Sequence, residues 1–348
     1  MRPTRVLTRV LAVAATALAV ALPLSAPGVA QARSHPQVTV MTRNLYLGAD
    51  LTPAVQAQSV EQFFDAVTTI FGTVAATDYP TRSGALANEV LADQPDLIGL
   101  EEVSKWTVFV GGAPAQTLDF LAILQLQLAG RGLQYDVAAV SQNASIGPLP
   151  LPSACATCAV QFQDRDVILV RHGSGITTNN ARDGSYATQQ VLTTPVGQLS
   201  FDRGWASVDA TLDGHAFRFA VTHLETEDAP AVQEAQGREF LAAIKTQGAI
   251  IAVGDFNSAA DGSTTTTYAD LTGDYFRDGA SGVGFTCCQN GTLSNLTSQL
   301  HSRIDLVLAH GPAQPQAAHR VGATPFRTSA PPYWASDHAG VVATLRLP

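Results

Sequence analysis

The chain has 348 residues, of which 46% are hydrophobic, and its 20 basic and 29 acidic residues give a formal net charge of −9. This length can bury a large hydrophobic core, as one large domain or as two smaller ones. Only two lysines are present, Lys105 and Lys245, so the chain lacks the basic surface by which many nucleic-acid-binding proteins neutralise phosphates. The composition still allows a hydrolase whose bound cations offset the acids locally.

The N-terminal segment has the three parts of a secretory signal peptide. Three arginines come first, an apolar stretch follows at residues 10–24, and an Ala-x-Ala site ends the segment at residues 30–32. The apolar stretch is shorter than the roughly 20 residues that span a bilayer, which favours a signal peptide over a membrane anchor. We therefore expect a signal peptide at residues 1–32 and a secreted, monomeric mature domain at residues 33–348 without an integral membrane segment. Removal of the segment leaves 17 basic and 29 acidic residues, a net charge of −12.

Short apolar runs of strand length recur along the mature chain. In chain order they cover residues 38–41, 96–100, 167–170, 216–221, 249–253, 304–308 and 340–345. Several of them are almost continuously apolar, which predicts strands that are covered on both faces.

Windows with apolar residues at helical spacing lie between these runs. They cover residues 59–71, 83–92, 118–128 and 231–244. Segments rich in Gly, Pro, Ser and Thr are expected to form loops at residues 141–156, 173–198, 259–268 and 311–332. Strands and helices in this mixture predict a layered α/β or α+β domain with a large core.

Four cysteines, Cys155, Cys158, Cys287 and Cys288, form an even set in a chain that we expect to be exported. Disulfides are the first expectation outside the cell, and four cysteines allow three pairings. A zinc site with four thiolates is the alternative, but adjacent cysteines constrain its geometry and export favours oxidation. We therefore expect disulfides and leave their pairing open.

The most informative motif follows the apolar run 249–253 and reads Gly254-Asp255-Phe256-Asn257-Ser258. A buried strand that ends here would present a carboxylate and a carboxamide side by side at the rim of a sheet. Mg²⁺ prefers oxygen ligands, and an Asn amide can hold a phosphate oxygen without adding negative charge. Asp-x-Asn is also a common turn sequence, so the motif is ambiguous on its own.

Acids, amides and histidines also stand at the ends of the other strand-like runs. They are Asn44 after run 38–41, Glu101 and Glu102 after run 96–100, His223 after run 216–221, Asp305 in run 304–308, and Asp337 with His338 before the last run. Each of them alone could be a turn residue, an acid at a helix start or a core histidine. Their joint occurrence at strand ends instead predicts one site.

With these motifs in this order, the chain resembles the endonuclease/exonuclease/phosphatase superfamily, and specifically a secreted member of the bacterial type. This DNase I-like superfamily includes nucleases, abasic-site endonucleases, neutral sphingomyelinases and inositol polyphosphate phosphatases. The resemblance runs from about residue 38 to the C terminus and rests on Thr42-Arg43-Asn44, Asp96-Leu97-Ile98-Gly99-Leu100-Glu101-Glu102-Val103, Thr222-His223-Leu224, Gly254-Asp255-Phe256-Asn257, Arg303-Ile304-Asp305 and Ser336-Asp337-His338. It implies a four-layer α-β-β-α sandwich with the site at one edge.

The resemblance also implies a divalent metal, which would be Mg²⁺, with Mn²⁺ or Ca²⁺ as alternatives. Glu102 would be its main ligand, Asn44 would complete the environment of the metal and of the substrate phosphate, and Asp337 would lie near the metal. Glu101 stands where the family more often has Gln, so the metal is assigned to Glu102.

The remaining residues of the motifs would carry the chemistry. By resemblance, Asp255 and Asn257 would orient the attacking water and the phosphate, and His223 would bond the phosphate. His338 would act with Asp305 as an acid/base pair. These roles suit phosphoester hydrolysis, which needs a positioned water, a base and neutralisation of the phosphate charge. A histidine with a carboxylate partner is suited to proton transfer near neutral pH.

Three further positions bear on how the substrate would be bound. Arg203 matches a family position that can contact substrate phosphate, although a surface salt bridge would explain it nearly as well. The family often has an aromatic residue where this chain has Arg43, and many members have Asn where this chain has Asp166. Either departure could alter how the leaving group is handled.

The sequence therefore predicts a secreted, divalent-metal-dependent phosphoester hydrolase, foremost a nuclease-like phosphodiesterase. Its substrate could be a nucleic acid, a phospholipid headgroup or a smaller ester. One alternative is a lipid phosphodiesterase of the sphingomyelinase or phospholipase C type, in which Trp106, Phe109, Tyr333 and Trp334 could contact a headgroup unless they only pack in loops. Another is a non-catalytic exported binding module with the same fold. Calcineurin-like phosphatases are excluded because the sequence lacks their Asp-x-His and Gly-Asn-His elements.

Overall fold

The computed structural model describes residues 35–348, and the expected signal peptide lies outside them. The strands are β1 (Gln37–Asn44), β2 (Leu97–Glu101), β3 (Lys105–Val110), β4 (Ala113–Asp119), β5 (Tyr135–Pro150), β6 (Cys158–Arg171), β7 (Thr177–Ser185), β8 (Val191–Thr194), β9 (Gly197–Ser200), β10 (Gly204–Leu212), β11 (His215–His223), β12 (Ala249–Asp255), β13 (Arg277–Asp278), β14 (Asp305–His310), β15 (Gln314–Val321) and β16 (Gly340–Arg346). The helices are α1 (Thr52–Val55), α2 (Val60–Ala76), α3 (Tyr79–Asp93), α4 (Phe120–Ala129), α5 (Pro230–Ile244) and α6 (Thr267–Asp274).

Most of the strands belong to two sheets. The first sheet has eight strands in the order β15-β16-β1-β2-β6-β3-β4, with β5 also paired to β6. The second has six strands in the order β13-β14-β12-β11-β10-β7. Strands β8 and β9 form a separate two-stranded ribbon.

The two sheets pack face to face because alternate side chains of their strands point into a shared apolar interior. This cluster includes Leu97 from the first sheet and Val221 and Ile251 from the second. A Cβ atom at Gly99 would lie 2.4 Å from Cγ2 of Val253. Glycine at this position therefore permits the close approach of the two sheets.

Helices cover the outer face of each sheet. Helices α2, α3 and α4 bury Phe63, Leu86 and Leu124 in a cluster with the first sheet, and α5 and α6 bury Phe240 and Leu271 in a cluster with the second. The sequence of layers is thus α-β-β-α. This architecture confirms the four-layer sandwich expected from the sequence.

All seven expected strands and all four expected helices are present, as β1, β2, β6, β11, β12, β14 and β16 and as α2 to α5. Three of the four expected loops are wrong. Residues 141–156 lie largely in β5, residues 173–198 contain β7 and β8, and residues 311–332 contain β15. These strands carry few continuous apolar residues, and β7 is held by its pairing with β10 rather than by a hydrophobic pattern of its own.

The described residues bear on the expected disulfides and on the expected lack of a membrane segment. Cys155 is bonded to Cys158, and Cys287 to Cys288, which agrees with disulfides and not with a zinc site. Within residues 35–348, none of the helices has the length and apolar character needed to cross a bilayer.

Candidate active site

The strand pairing gathers the predicted residues at one edge of the sandwich. In the first sheet, β1 and β2 run parallel and end side by side at Asn44 and Glu101. In the second sheet, β11 and β12 run parallel and end side by side at His223 and Asp255, while the antiparallel β14 begins at Asp305 directly opposite Asp255. Because parallel strands end at the same edge, side chains distant in the sequence become neighbours.

Asp255 lies at the centre of this group. Its Oδ2 accepts a hydrogen bond of 3.1 Å from Nδ2 of Asn44 and lies 3.6 Å from Nε2 of both His223 and His338. Its Oδ1 accepts a 3.0 Å hydrogen bond from the backbone N–H of Asn257. Burial and the neighbouring charges raise the pKa of Asp255 to about 7. The carboxylate can therefore take up or release a proton near neutral pH.

His338 and Asp305 form a buried pair next to Asp255. Nδ1 of His338 lies 2.9 Å from Oδ2 of Asp305, and the other oxygen, Oδ1, has no hydrogen-bond partner. Burial alone would lower the pKa of His338, but the charges of Asp305 and Asp255 raise it well above its usual value. The imidazole is therefore protonated near neutral pH, and its Nε2 faces Asp255. Sγ of Cys288 also lies 3.7 Å from this Nε2, a neighbour that sequence reasoning missed.

The two adjacent glutamates at the end of β2 lie in different surroundings. Glu101 is fully buried and accepts a 2.8 Å hydrogen bond from the hydroxyl of Thr42. Glu102 has a positive φ of 53° and lines an open cleft. Its carboxylate accepts hydrogen bonds from Nδ2 of Asn44 at 3.2 Å and from the backbone N–H of Leu47 at 2.6 Å. Glu102, and not Glu101, is therefore available to a ligand in the cleft.

His223 is held between a cation and an amide. Nη1 of Arg203 lies 3.0 Å from its Nδ1, and Nδ2 of Asn257 lies 3.2 Å from its Nε2. Burial and the charge of Arg203 lower the pKa of His223 well below its usual value, so the ring is neutral. Nη2 of Arg203 is also 3.6 Å from Oε1 of Glu225. Arg203 also lines the cleft. Its ion pair with Glu225 therefore lies at the site and not on an unrelated part of the surface.

The cleft at this edge has a volume of ≈ 610 Å³ and is strongly acidic. Among the described residues that line it, Arg203 is the single basic one, and the acidic ones are Asp50, Glu102, Glu225, Asp228 and Asp337. Burial and the charge of Glu102 raise the pKa of Asp337 to about 6. The carboxylates therefore lack compensating positive charge.

A hard divalent cation would supply that charge, and the donor set fits one. Glu102 and Asp337 offer carboxylate oxygens in the same cleft, which are preferred ligands of Mg²⁺ and Ca²⁺. Oδ1 of Asn44 accepts one hydrogen bond, from the backbone N–H of Tyr46 at 2.8 Å, and its second lone pair is left for a ligand. The three residues expected to surround a metal can thus hold one.

Asp164 was missed by the sequence reasoning, and Asp166 was noticed only as a departure from the family. Strand β6 runs antiparallel to β2, so the residues before Val167, at the middle of β6, reach the site. Ligand atoms of the two aspartates and of His223 lie within 4.8 Å of one another. Burial raises the pKa of Asp164 to about 6, and burial together with Asp164 raises that of Asp166 well above its usual value. A protonated Asp166 can donate a hydrogen bond, as the amide of the more common Asn does.

Arg82 of α3 is a second residue that the sequence did not reveal. It is fully buried and donates hydrogen bonds to the carbonyl oxygens of Thr77, Leu45 and Ala335, each at 2.8 Å, and of Tyr46 at 3.1 Å. Burial lowers its pKa to about 10, so the guanidinium remains charged at neutral pH. Arg82 thereby joins the loop after β1 to the segment that precedes the last strand, and both of these contribute to the cleft.

We expect Arg82→Lys to lower the free energy of unfolding by about 1–3 kcal/mol, because an ammonium cannot reach all four carbonyls and leaves at least one buried acceptor unsatisfied. Urea unfolding measures the change. The control is Arg346→Lys, at an exposed position of β16, which should alter the unfolding free energy by less than about 0.5 kcal/mol. Equal stability of the two variants would show that the carbonyl contacts of Arg82 contribute little.

The aromatic residues considered for substrate contact are mostly structural. Trp106 and Trp334 are 4% and 1% exposed. Their indole N–H groups donate to the carbonyls of Leu47 at 3.0 Å and Asn295 at 2.6 Å. Trp106 lies on β3 and not in a loop. Neither ring offers a free face for stacking on a headgroup in the open cleft.

An α-β-β-α sandwich with carboxylates, amides and histidines gathered at one edge defines a DNase I-like phosphoester hydrolase. The sequence profile of the Endonuclease/Exonuclease/phosphatase family matches residues 70–338, and the chain belongs to this family. Membership places it among the metal-dependent phosphoric ester hydrolases. No curated protein sequence matches the chain.

Several solved structures share the fold. An endonuclease/exonuclease/phosphatase from Beutenbergia cavernae is 20% identical, with 89% of this chain and 72% of that chain covered and a TM-score of 0.55. Mannosyl-6-phosphatase Bt3783 from Bacteroides thetaiotaomicron is 14% identical, with 89% and 99% covered and a TM-score of 0.55. D. rerio TDP2 in complex with a single-strand DNA product is also 14% identical, with 89% and 99% covered and a TM-score of 0.54. At these identities the likeness concerns the fold.

Proposed function

We propose that the protein is a secreted, monomeric, divalent-metal-dependent phosphodiesterase whose active site is the acidic cleft at the edge of the sandwich. The observation that carries the proposal is the convergence on one carboxylate, Asp255, of two imidazoles and an amide, next to the His338–Asp305 pair. A purely structural cluster would not require so many buried titratable groups, because each of them costs desolvation free energy.

Proton transfer in this proposal involves Asp255 and His338. Asp255 has a pKa of about 7, which is suited to accepting a proton from water as the water oxygen bonds to phosphorus. The protonated His338 is suited to donating a proton to the ester oxygen as the second P–O bond breaks. Asp305 holds the ring through Nδ1 and stabilises its charge. The proton taken from water then restores the imidazolium, so the cycle balances.

The phosphate would be positioned by neutral donors and one cation. The Nδ2 groups of Asn44 and Asn257, the neutral ring of His223 and the guanidinium of Arg203 all lie at the edge where the phosphate would bind. Such fixed donors stabilise charge that develops on the non-bridging oxygens. Nε of Arg203 is buried without a hydrogen-bond partner, which is consistent with a role toward a bound anion.

Glu102, Asn44 and Asp337 would hold the divalent metal, with Mg²⁺ as the first expectation. When bound, the ion supplies polarisation of a phosphate oxygen and neutralises negative charge. The hydrogen bond from Leu47 fixes one oxygen of Glu102, so the carboxylate is oriented before any ligand arrives.

Removal of metal with EDTA is expected to abolish hydrolysis of bis(p-nitrophenyl) phosphate, and added Mg²⁺, Mn²⁺ or Ca²⁺ is expected to restore it. The reason is that the five acids of the cleft repel a phosphate anion until a cation is bound. Release of p-nitrophenol measures turnover, and thermal unfolding with and without Mg²⁺ measures binding independently of turnover. Hydrolysis that continues in EDTA would contradict metal dependence. No hydrolysis with any metal would favour the non-catalytic binding module.

Secretion is supported by the tripartite segment at residues 1–32 and by the two disulfides, which form in oxidising compartments. N-terminal sequencing of the protein recovered from culture medium should begin at residue 33. Retention of the full chain in the cell would contradict this part of the proposal.

A further inference from the structure

A second pocket adjoins the catalytic cleft and differs from it in chemistry. Thirteen residues of the described part of the chain line this apolar pocket, and all thirteen are apolar. Its walls come from six elements, with Ala54 of α1, Phe63 of α2, Trp106 of β3, Ile146 of β5 and Phe162 of β6 as examples. Its cavity volume is ≈ 50 Å³, which is room for a few methylene groups, and more than half of its lining side chains are buried.

The apolar pocket shares lining residues with the cleft. Leu51, Val55 and Phe201 line both spaces. The β8–β9 ribbon also borders both, because Leu192 lines the cleft and its cross-strand partner Leu199 lines the apolar pocket. A ligand that passes these shared residues would reach from the acids of the cleft into the apolar space.

The charge of the cleft limits which phosphodiesters fit. Five acids and one arginine give its lining a formal charge of −4, and one bound divalent cation would leave −2. A polynucleotide carries a negative charge on every phosphate and gains affinity by contacting Lys and Arg side chains. Flanking phosphates would instead meet Asp50 and Asp228. An ester with a single phosphate avoids this repulsion.

We propose that the apolar pocket binds the hydrocarbon chain of the substrate, so that the enzyme hydrolyses an amphiphilic phosphodiester with one apolar chain. The phosphate lies in the cleft beside Glu102, and the chain carried on one ester oxygen passes Val55 and Phe201 into the pocket. This inference rests on the proposed phosphodiesterase function. Pockets that combine apolar walls with a few polar groups at one end are typical of ligand sites for such molecules.

The test is a homologous series of alkyl p-nitrophenyl phosphates, with methyl, butyl and octyl chains, at concentrations below micelle formation and with saturating Mg²⁺. Hydrolysis joins the water oxygen to phosphorus, breaks the bond to p-nitrophenol and leaves the alkyl phosphate. Burial of each methylene should raise kcat/KM by roughly three- to fourfold until the pocket is filled. A flat series with a hydrolysed methyl ester overturns this inference and leaves the phosphodiesterase function intact. If no ester is hydrolysed, the proposed function fails, and the inference fails with it.

A variant of the apolar pocket makes the test specific. Ala54 lines the pocket but not the cleft, and Ala54→Phe should fill the space and flatten the series. Ala122→Phe places the same ring on the exposed side of α4 and should keep the wild-type dependence on chain length. If both variants retain that dependence, or both lose it, the chain does not lie in this pocket and the inference is overturned.

Calorimetric binding of n-octyl phosphate and methyl phosphate adds a measurement that needs no turnover. Wild type and Ala122→Phe should bind the octyl ester at least tenfold more tightly than the methyl ester, with a negative heat-capacity change. Ala54→Phe should bind the two alike. Equal binding of the two esters by the wild type also overturns the inference.

Discussion

Asp255→Asn is expected to lower kcat/KM for bis(p-nitrophenyl) phosphate by about 10²–10⁴-fold. The carboxamide keeps the shape of the side chain, but it cannot accept a proton from water and its charge no longer supports the protonated ring of His338. The loss should appear in kcat more than in KM, because proton transfer belongs to the transition state and not to substrate binding. Initial rates at saturating Mg²⁺ measure both parameters.

The control for this substitution is Asp274→Asn, which makes the same chemical change at an exposed position at the end of α6. It should retain the wild-type kcat/KM. Circular dichroism and thermal unfolding of both variants separate a lost proton acceptor from a lost fold. A folded Asp255→Asn enzyme with wild-type turnover would remove Asp255 from the proposed mechanism.

The layers of the fold could be predicted from the sequence because the central strands are buried on both faces. Strand β12 contributes Ile251 to the interior between the sheets and Ile250 to the cluster beneath the helices, so its run of apolar residues has no polar interruption. Strand β7 gave no such signal. Its sequence is TTNNARDGS, its side chains are mostly exposed, and its structure depends on hydrogen bonds to β10.

The candidate site could be predicted in part by following each apolar run to its end. The prediction was correct for His223 and Asp255 because β11 and β12 are parallel and end in register. It missed Asp164 because β6 runs in the opposite direction, so the site lies at the middle of β6, before the apolar run 167–170 and not after it. The direction of a strand is a property of the topology and is not visible in the pattern of a single run.

The role of Arg82 and the apolar pocket could not be predicted because both depend on residues that only the fold brings together. In the sequence, Arg82 is an ordinary polar residue in a helical window, and only the fold closes four carbonyl groups around it. The walls of the pocket come from elements that are spread between Leu51 and Phe201. Each lining residue reads as a core residue when it is considered alone.

Gly254→Ala is expected to lower the free energy of unfolding by about 4 kcal/mol or more, or to prevent folding. Gly254 has a φ of +153°, a conformation that side chains with a Cβ rarely adopt, and a Cβ there would lie 2.0 Å from the carbonyl oxygen of Thr222. Thr222 is its register partner in the adjacent strand β11. Neither backbone can move away without separating the parallel strands that hold His223 and Asp255 together.

Gly72→Ala is the matched control, because Gly72 lies in α2 and a Cβ there has no neighbour within 4 Å. This substitution should raise the free energy of unfolding by about 0.5–1 kcal/mol, since alanine favours a helix over glycine. Urea unfolding of both variants and of wild type gives the comparison. If Gly254→Ala unfolds at the wild-type urea concentration, the ends of β11 and β12 are less rigid than their spacing indicates. A large loss of stability instead means that the glycine before Asp255 fixes the distance between the two strands, and with it the position of the proposed catalytic carboxylate.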